Sequence, residues 1–248
     1  MSGHSKWASI KHKKGAKDAK RGKLFSKLVK EITVVARDGG GDLDANARLR
    51  TAVQIARDAN MPADNIERAI KKGTGELPGI IYEEATYEGY GPGGIAILIR
   101  VLTDNRNRST AEIRHLFDKR GGSMSGPGAV SYLFHKKGFF SISAEGVDEE
   151  SIFSLVLEAG AEDFKAEGDL FEIYTDPSDF EAVKKVLSEN NIPIIMGEVT
   201  ELPASEIPVN GEEARKVLGL LNALEEHDDV QNVYSNCDIP EEVLNELE

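Results

Sequence analysis

Few residues of this chain could do chemistry, and the usual constellations each break at a decisive position. Gly89, Gly91 and Gly94 satisfy the G-x-G-x-x-G spacing of a dinucleotide-binding turn, which needs a strand before it and a helix after it. The next residues are Ile95, Ala96, Ile97, Leu98, Ile99, Arg100 and Val101, a strand sequence, and Pro92 suits a tight turn, so the glycines read as a hairpin. No G-x-x-x-x-G-K-[ST] phosphate loop is present. Ser123 and Ser125 lie in a glycine-rich stretch without the G-x-S-x-G spacing of a nucleophile elbow. The histidines, His4, His12, His115, His135 and His227, never recur at i, i+4 with an acidic partner, which leaves metal catalysis unsupported. Glu149 and Glu150 read as a solvated helix start. These residues predict no enzyme, no cofactor and no small-molecule substrate.

What the side chains do offer is neutralisation of phosphate. Lys6, Lys11, Lys13, Lys14, Lys17 and Lys20 lead into Arg21 and Lys23, with Trp7 and His12 among them; the first 30 residues hold ten Lys or Arg against one acid, Asp18. Cations with little opposing charge gain affinity from every phosphate they meet, because neutralisation releases counterions. Trp7 adds a flat surface on which an unpaired base could stack; packing of the segment onto the body is the alternative. Arg68, Lys71 and Lys72 form a second cationic group, with complementing the dipole of their own helix as the alternative, and Arg106 and Arg108 a third, just before Ser109 and Glu112, which have capping-box spacing. Arginines beside a helix start can grip phosphate; pairing of these two with Asp104 is the other reading. All fifteen of these residues are the candidate nucleic-acid contacts.

Charge is distributed very unevenly behind that group. The net charge is −13, yet residues 1–72 carry seventeen basic against eight acidic residues, and residues 73–248 thirteen against thirty-five. Residues 141–200 hold fifteen acids and three lysines; such a surface repels phosphate and suits a protein partner. The lone Cys237 cannot form an internal disulfide. No apolar run approaches the roughly 18 residues that span a bilayer, and no signal-peptide apolar stretch comes after the leading lysines. A cytoplasmic protein is expected, with no membrane among its partners, although the basic helix from Lys23 to Arg37 leaves open attachment to an anionic membrane surface.

The elements that must position these residues are legible in the apolar spacing. Residues 1–20 have no periodicity and read as a mobile arm. Leu24, Leu28, Ile32 and Val35 recur at helical spacing; Asp44 is the predicted cap of a second helix with Leu49, Ala52, Val53 and Ala56 inward; Pro62 opens a third with Ile66, Ala69 and Ile70. The third helix could be read as the recognition helix of a helix-turn-helix, but Asp64 and Glu67 at its amino end would repel DNA. Beyond Leu77 the period becomes that of strands: 80–89 and 94–102, a helix from Thr110 to Arg120, and a strand at 129–134. Residues 138–200 read as strand, helix, strand, strand, helix, strand, with helices at 148–159 and 178–190, a ferredoxin-like order. A helix at 211–226, a strand at 230–236 and a short helix after Pro240 remain. The predicted class is α+β: an amino-terminal three-helix bundle (1–78), then two α+β domains with antiparallel or mixed sheets. One of these is discontinuous (79–134 with 205–248), and the last, acidic and ferredoxin-like (135–204), is inserted in it.

At MSGHSKWASIKHKKGAKDAKRGKLFSKLVKEITVVAR the chain closely resembles the YebC/PmpR family, and NMPADNIERAIKKGTGE, YEGYGPGGIAILIRVLTDNRNR and GGSMSGPGAVSYLF resemble its other signature stretches. The match spans essentially the whole chain. It implies a three-domain α+β protein of the bacterial cytoplasm without enzymatic activity, with a mitochondrial relative that activates translation of a cytochrome oxidase subunit. Some members resemble transcriptional regulators that bind promoter DNA. Others resemble ribosome-associated factors, contacting ribosomal or transfer RNA, that relieve stalling on proline-rich sequences. Leu43 and Ala47 stand where the family pattern favours proline, which touches only the loop before the second helix.

Overall fold

The apolar spacing of the amino-terminal third resolves into three helices in the computed structural model, which describes residues 18–239, with side chains from residue 21 onward except that of Glu167. α1, Asp18–Gly39, starts five residues before Lys23 and buries Leu28, Ile32, Val35 and Ala36, while Leu24, expected inward, is 43% exposed. α2, Ala47–Asp58, is capped by Asn46 rather than Asp44. The Asn46 Oδ1 accepts from the Leu49 amide at 3.0 Å while its Nδ2 donates to the carbonyls of Val35 at 3.0 Å and Gly40 at 2.8 Å. The amide accepts through its oxygen and donates twice through its nitrogen; a carboxylate has no proton to give. The cap therefore doubles as the link between α1 and α2. Asn60, at φ +58°, stops α2, and Pro62 precedes α3, Ala63–Gly73. Leu49, Ala52, Val53, Ala56, Ile66 and Ala69 complete one core, with Leu43 and Ile70 half-buried against it. Ala47 is the first residue of α2, a position where proline is tolerated because its amide has no intrahelical partner, so the departure from the family pattern leaves the helix start intact. At Gly73 a Cβ would lie 2.4 Å from the Thr33 carbonyl, so only glycine lets α3 approach α1 so closely.

β1, Glu83–Tyr90, and β2, Ala96–Thr103, pair antiparallel from Glu83↔Thr103 to Tyr90↔Ala96 around a short 3-10 turn at Pro92–Gly94. The glycine triplet is thus a hairpin. α4, Arg106–Lys119, begins four residues before the predicted Thr110 because Asn105, whose Oδ1 accepts from the Arg108 amide at 3.1 Å, is its cap. Ser109 sits one turn inside, with its hydroxyl directed elsewhere. The strand expected at 129–134 is also displaced: β3 is Ser123–Ser125, antiparallel to β1, and residues 131–133 form a 3-10 turn.

β4, Phe134–Ser143, α5, Glu149–Glu158, β5, Ala161–Glu167, β6, Leu170–Thr175, α6, Phe180–Glu189, and β7, Ile194–Pro203, come next as β-α-β-β-α-β. Their sheet has the order β5-β6-β4-β7 with antiparallel neighbours throughout, the ferredoxin-like arrangement. Phe140, Ile142, Ile152, Val156, Ile173 and Val183 fill its core, and Phe140 stacks on Phe180 at 4.5 Å. β8, Ile207–Pro208, precedes α7, Gly211–Glu225; β9, Val230–Ser235, and β10, Cys237–Asp238, end the described chain. β9 takes the edge beside β2 in the order β3-β1-β2-β9, while β10 pairs parallel with β8. Flanked on both sides, β2 is a near-continuous apolar run with seven of its eight residues buried, as a central strand requires. Two compact units result among the described residues: 18–129 with 215–233, and 130–214 with 234–239. The helix expected after Pro240 lies outside the described residues. No described helix is long and apolar enough to cross a membrane.

Candidate nucleic-acid interface

Positions 23, 27, 30, 34 and 37 fall on one face of α1 by their helical spacing. That face is occupied by protein. Lys23 Nζ donates to the Glu226 carbonyl at 3.0 Å and stands 3.9 Å from the Asp228 carboxylate. Lys27 Nζ donates to the Glu225 carbonyl at 2.7 Å, and Arg37 to that of Tyr82. Lys30 Nζ reaches the Asp228 carbonyl at 3.0 Å and Asp229 Oδ1 at 2.7 Å; Val34 between them is buried. The acceptors around 225–228 are the carboxyl end of α7 and the turn after it, where orphan carbonyls and the helix dipole concentrate negative potential. Three lysines complement that end.

Asp229 is the hub of this contact. Its Oδ1 takes Lys30; its Oδ2 takes Arg108 at 2.8 Å and lies 2.7 Å from Ser109 Oγ and 3.1 Å from Thr103 Oγ1. The Lys30 and Asp229 side chains are only 14% and 4% exposed. Burial raises the Asp229 pKa, but hydrogen bonds from Lys30, Arg108 and Ser109 and the Lys30 charge outweigh it and hold the carboxyl well below the usual carboxylate range. Arg108 also pairs with Asp104 at 2.9 Å, and its hydrogen bond to Asp229, ahead of the Asp229 charge, raises the pKa of an already permanently charged guanidinium. His227 accepts from the Asp229 amide through Nδ1 at 3.1 Å and turns Nε2 toward Glu112 at 2.9 Å.

Of the candidate contacts, Lys6, Trp7, Lys11, His12, Lys13, Lys14 and Lys17 lie outside the described residues, and Lys20 is described only as part of the α1 backbone. Arg21 is exposed, 3.4 Å from the Asn60 carbonyl and 5.4 Å from the centre of the Phe25 ring. Lys23 and Arg108 are engaged by the 225–229 turn, and Lys71 pairs with Glu67 one turn earlier on α3. Arg68 and Lys72 are exposed and share one face of α3 at i, i+4 spacing, and Arg106 is exposed at the start of α4. None of these three side chains has a hydrogen bond or ion pair among the described residues. The helices therefore bring Arg68 and Lys72 together, while Arg106 belongs to a separate element. Sequence reasoning passed over Lys27, Lys30 and Asp229; the i, i+4, i+7 recurrence of Lys23, Lys27 and Lys30 was a signal for the two lysines, and Asp229 had none.

A cavity of about 330 Å³ adjoins the carboxyl halves of α1 and α3, lined by Thr33, Arg37, Lys72, Leu77, Ile81 and Tyr82 among others. It contains no carboxylate, histidine or thiol for acid-base or nucleophilic work. No group of three or more metal-ligating side chains occurs among the described residues.

Two family models match the chain: the TACO1/YebC protein N-terminal domain over residues 5–76, and the TACO1/YebC second and third domain over residues 82–237. A probable transcriptional regulatory protein of Desulforapulum autotrophicum is 56% identical over 247 residues, covering 100% of both chains. One from Carboxydothermus hydrogenoformans is 57% identical over 242 residues, covering 96% of this chain and 99% of its own. The crystal structure of a conserved hypothetical protein from Aquifex aeolicus matches with a TM-score of 0.80 at 51% identity, covering 92% of this chain and 94% of that one.

Proposed function

The chain belongs to the TACO1/YebC family, and on that premise we propose that it is a non-enzymatic, cytoplasmic transcriptional regulator that binds duplex DNA through its basic amino-terminal segment. The observation that carries this reading is the ten-to-one excess of basic residues in the first 30 positions of a chain whose net charge is −13. Such a segment is attracted to a polyanion wherever salt does not screen it. Arg68 and Lys72 extend the grip onto the bundle. Its relatives' name, probable transcriptional regulatory protein, supports DNA as the polyanion. Residues 1–78 would bind; 79–134 with 205–248 would carry them; the acidic 135–204 would stay clear of phosphate and meet a protein partner. Because phosphate contacts carry no sequence information, preference for one site should be modest.

The test is competition. Purified protein is expected to prefer a promoter fragment over random duplex at physiological salt, and to be lost from both as salt rises. Co-sedimentation with ribosomes, without preference for any duplex, would overturn DNA as the target in favour of ribosomal or transfer RNA.

A further inference from the structure

We propose that Lys23 and Lys27 form a covered phosphate-binding strip, occupied by the acidic turn at 225–229 until the backbone of a nucleic acid displaces it; this rests on the DNA-binding reading. The turn reads Glu225, Glu226, His227, Asp228, Asp229, four acids in five residues. It lies against the one helix that continues the basic leading segment. Each lysine donates to a main-chain carbonyl of the turn, Lys23 to that of Glu226 and Lys27 to that of Glu225, and Lys23 stands 3.9 Å from the Asp228 carboxylate. Carbonyls bear partial charge and can be satisfied by water instead, whereas phosphate oxygens bear full charge. The Lys23 and Asp228 side chains are 53% and 79% exposed, and pairs so exposed exchange readily.

Displacement stops one turn further on. Lys30 is held by the buried Asp229 carboxylate and the Asp228 carbonyl, with the Tyr82 ring 5.5 Å away, and removing either partner of a buried pair is costly. α1 therefore stays docked while the exposed Lys23 and the half-buried Lys27 exchange partners. Lys23 and Lys27 stand one turn apart, about 6 Å along the axis, so both can meet one phosphate backbone. The acidic turn acts as an internal stand-in for nucleic acid and weakens binding to chains that offer too few phosphates to displace it.

The experiment measures affinity of the full chain for a short duplex across a salt series. Asp228→Asn is expected to bind about two- to five-fold more tightly, the scale of one exposed ion pair. Glu149→Gln, the same charge change on α5, should match the wild type. Lys23→Gln with Lys27→Gln is expected to lower the slope of log affinity against log salt by about two. Equal effects of Asp228→Asn and Glu149→Gln, or an unchanged slope in the lysine variant, would overturn the strip while leaving DNA binding in place. A wild-type chain that binds no duplex even in dilute buffer would overturn both.

Discussion

Asp229 shows how one side chain sets the meaning of several others. Its carboxylate engages Lys30 and Arg108 and stands within hydrogen-bond distance of Ser109 and Thr103, so cations that look free in the sequence are committed to holding the amino-terminal helices on the sheet. Asp229→Asn keeps the shape and removes the charge, leaving Lys30 nearly buried beside a neutral group. A loss of about 3 kcal/mol in unfolding free energy is expected, read by urea titration. The pH dependence has a definite sign. The folded-state pKa lies below the unfolded value of about 4, so the contribution is complete above that value and is lost progressively as pH falls below it toward the folded value. The gap between wild type and variant should therefore hold from pH 7 to about pH 5 and narrow in stronger acid. A gap that stayed constant into strong acid would show that Asp229 is not the titrating group.

At the scale of elements, the caps decide where helices begin and how they join. Spacing before α2 favours Asp44, yet Asn46 closes the helix because it alone accepts from Leu49 and donates to Val35 and Gly40. Asn46→Asp removes both donors and faces a charge toward two carbonyls in a buried site. It should cost about 2 kcal/mol or more and lower the unfolding temperature by several degrees, while Asp44→Ala should change it little. The same logic displaced α4: with Asn105 as cap, Ser109 is inside the helix and meets Asp229. Helices α2 and α3, the hairpin and the β-α-β-β-α-β order were legible because apolar periodicity and turn residues are local signals. The cap at Asn46 was not, since its second role depends on carbonyls of α1 and of the loop after it.

For the whole molecule, the proposed grip divides among the segment before α1, the covered lysines of α1 and the cationic pair on α3. Removing residues 1–17, which leaves α1 whole, is expected to weaken duplex binding by an order of magnitude or more in dilute buffer and to flatten the salt dependence, with urea unfolding unchanged. Arg68→Gln with Lys72→Gln should lower the salt slope by about two with little loss of stability, because neither side chain pairs with another described residue. An unchanged slope in both variants would place the contact elsewhere. Trp7→Ala separates its two readings: weaker binding at unchanged unfolding temperature indicates stacking, and the reverse indicates packing.

By itself the amino-acid sequence determined the α+β class, the order of the helices and longer strands, the ferredoxin-like segment and the concentration of positive charge at the front of an acidic chain, since all of these are read from spacing and composition. Only the tertiary structure decided which cations are committed. Lys30 and Arg108 are indistinguishable from Arg68 and Lys72 as residue types, and they differ because the chain folds back roughly two hundred residues from α1, and about 120 from Arg108, to bring Asp229 against them. Partners that distant leave no trace in local pattern.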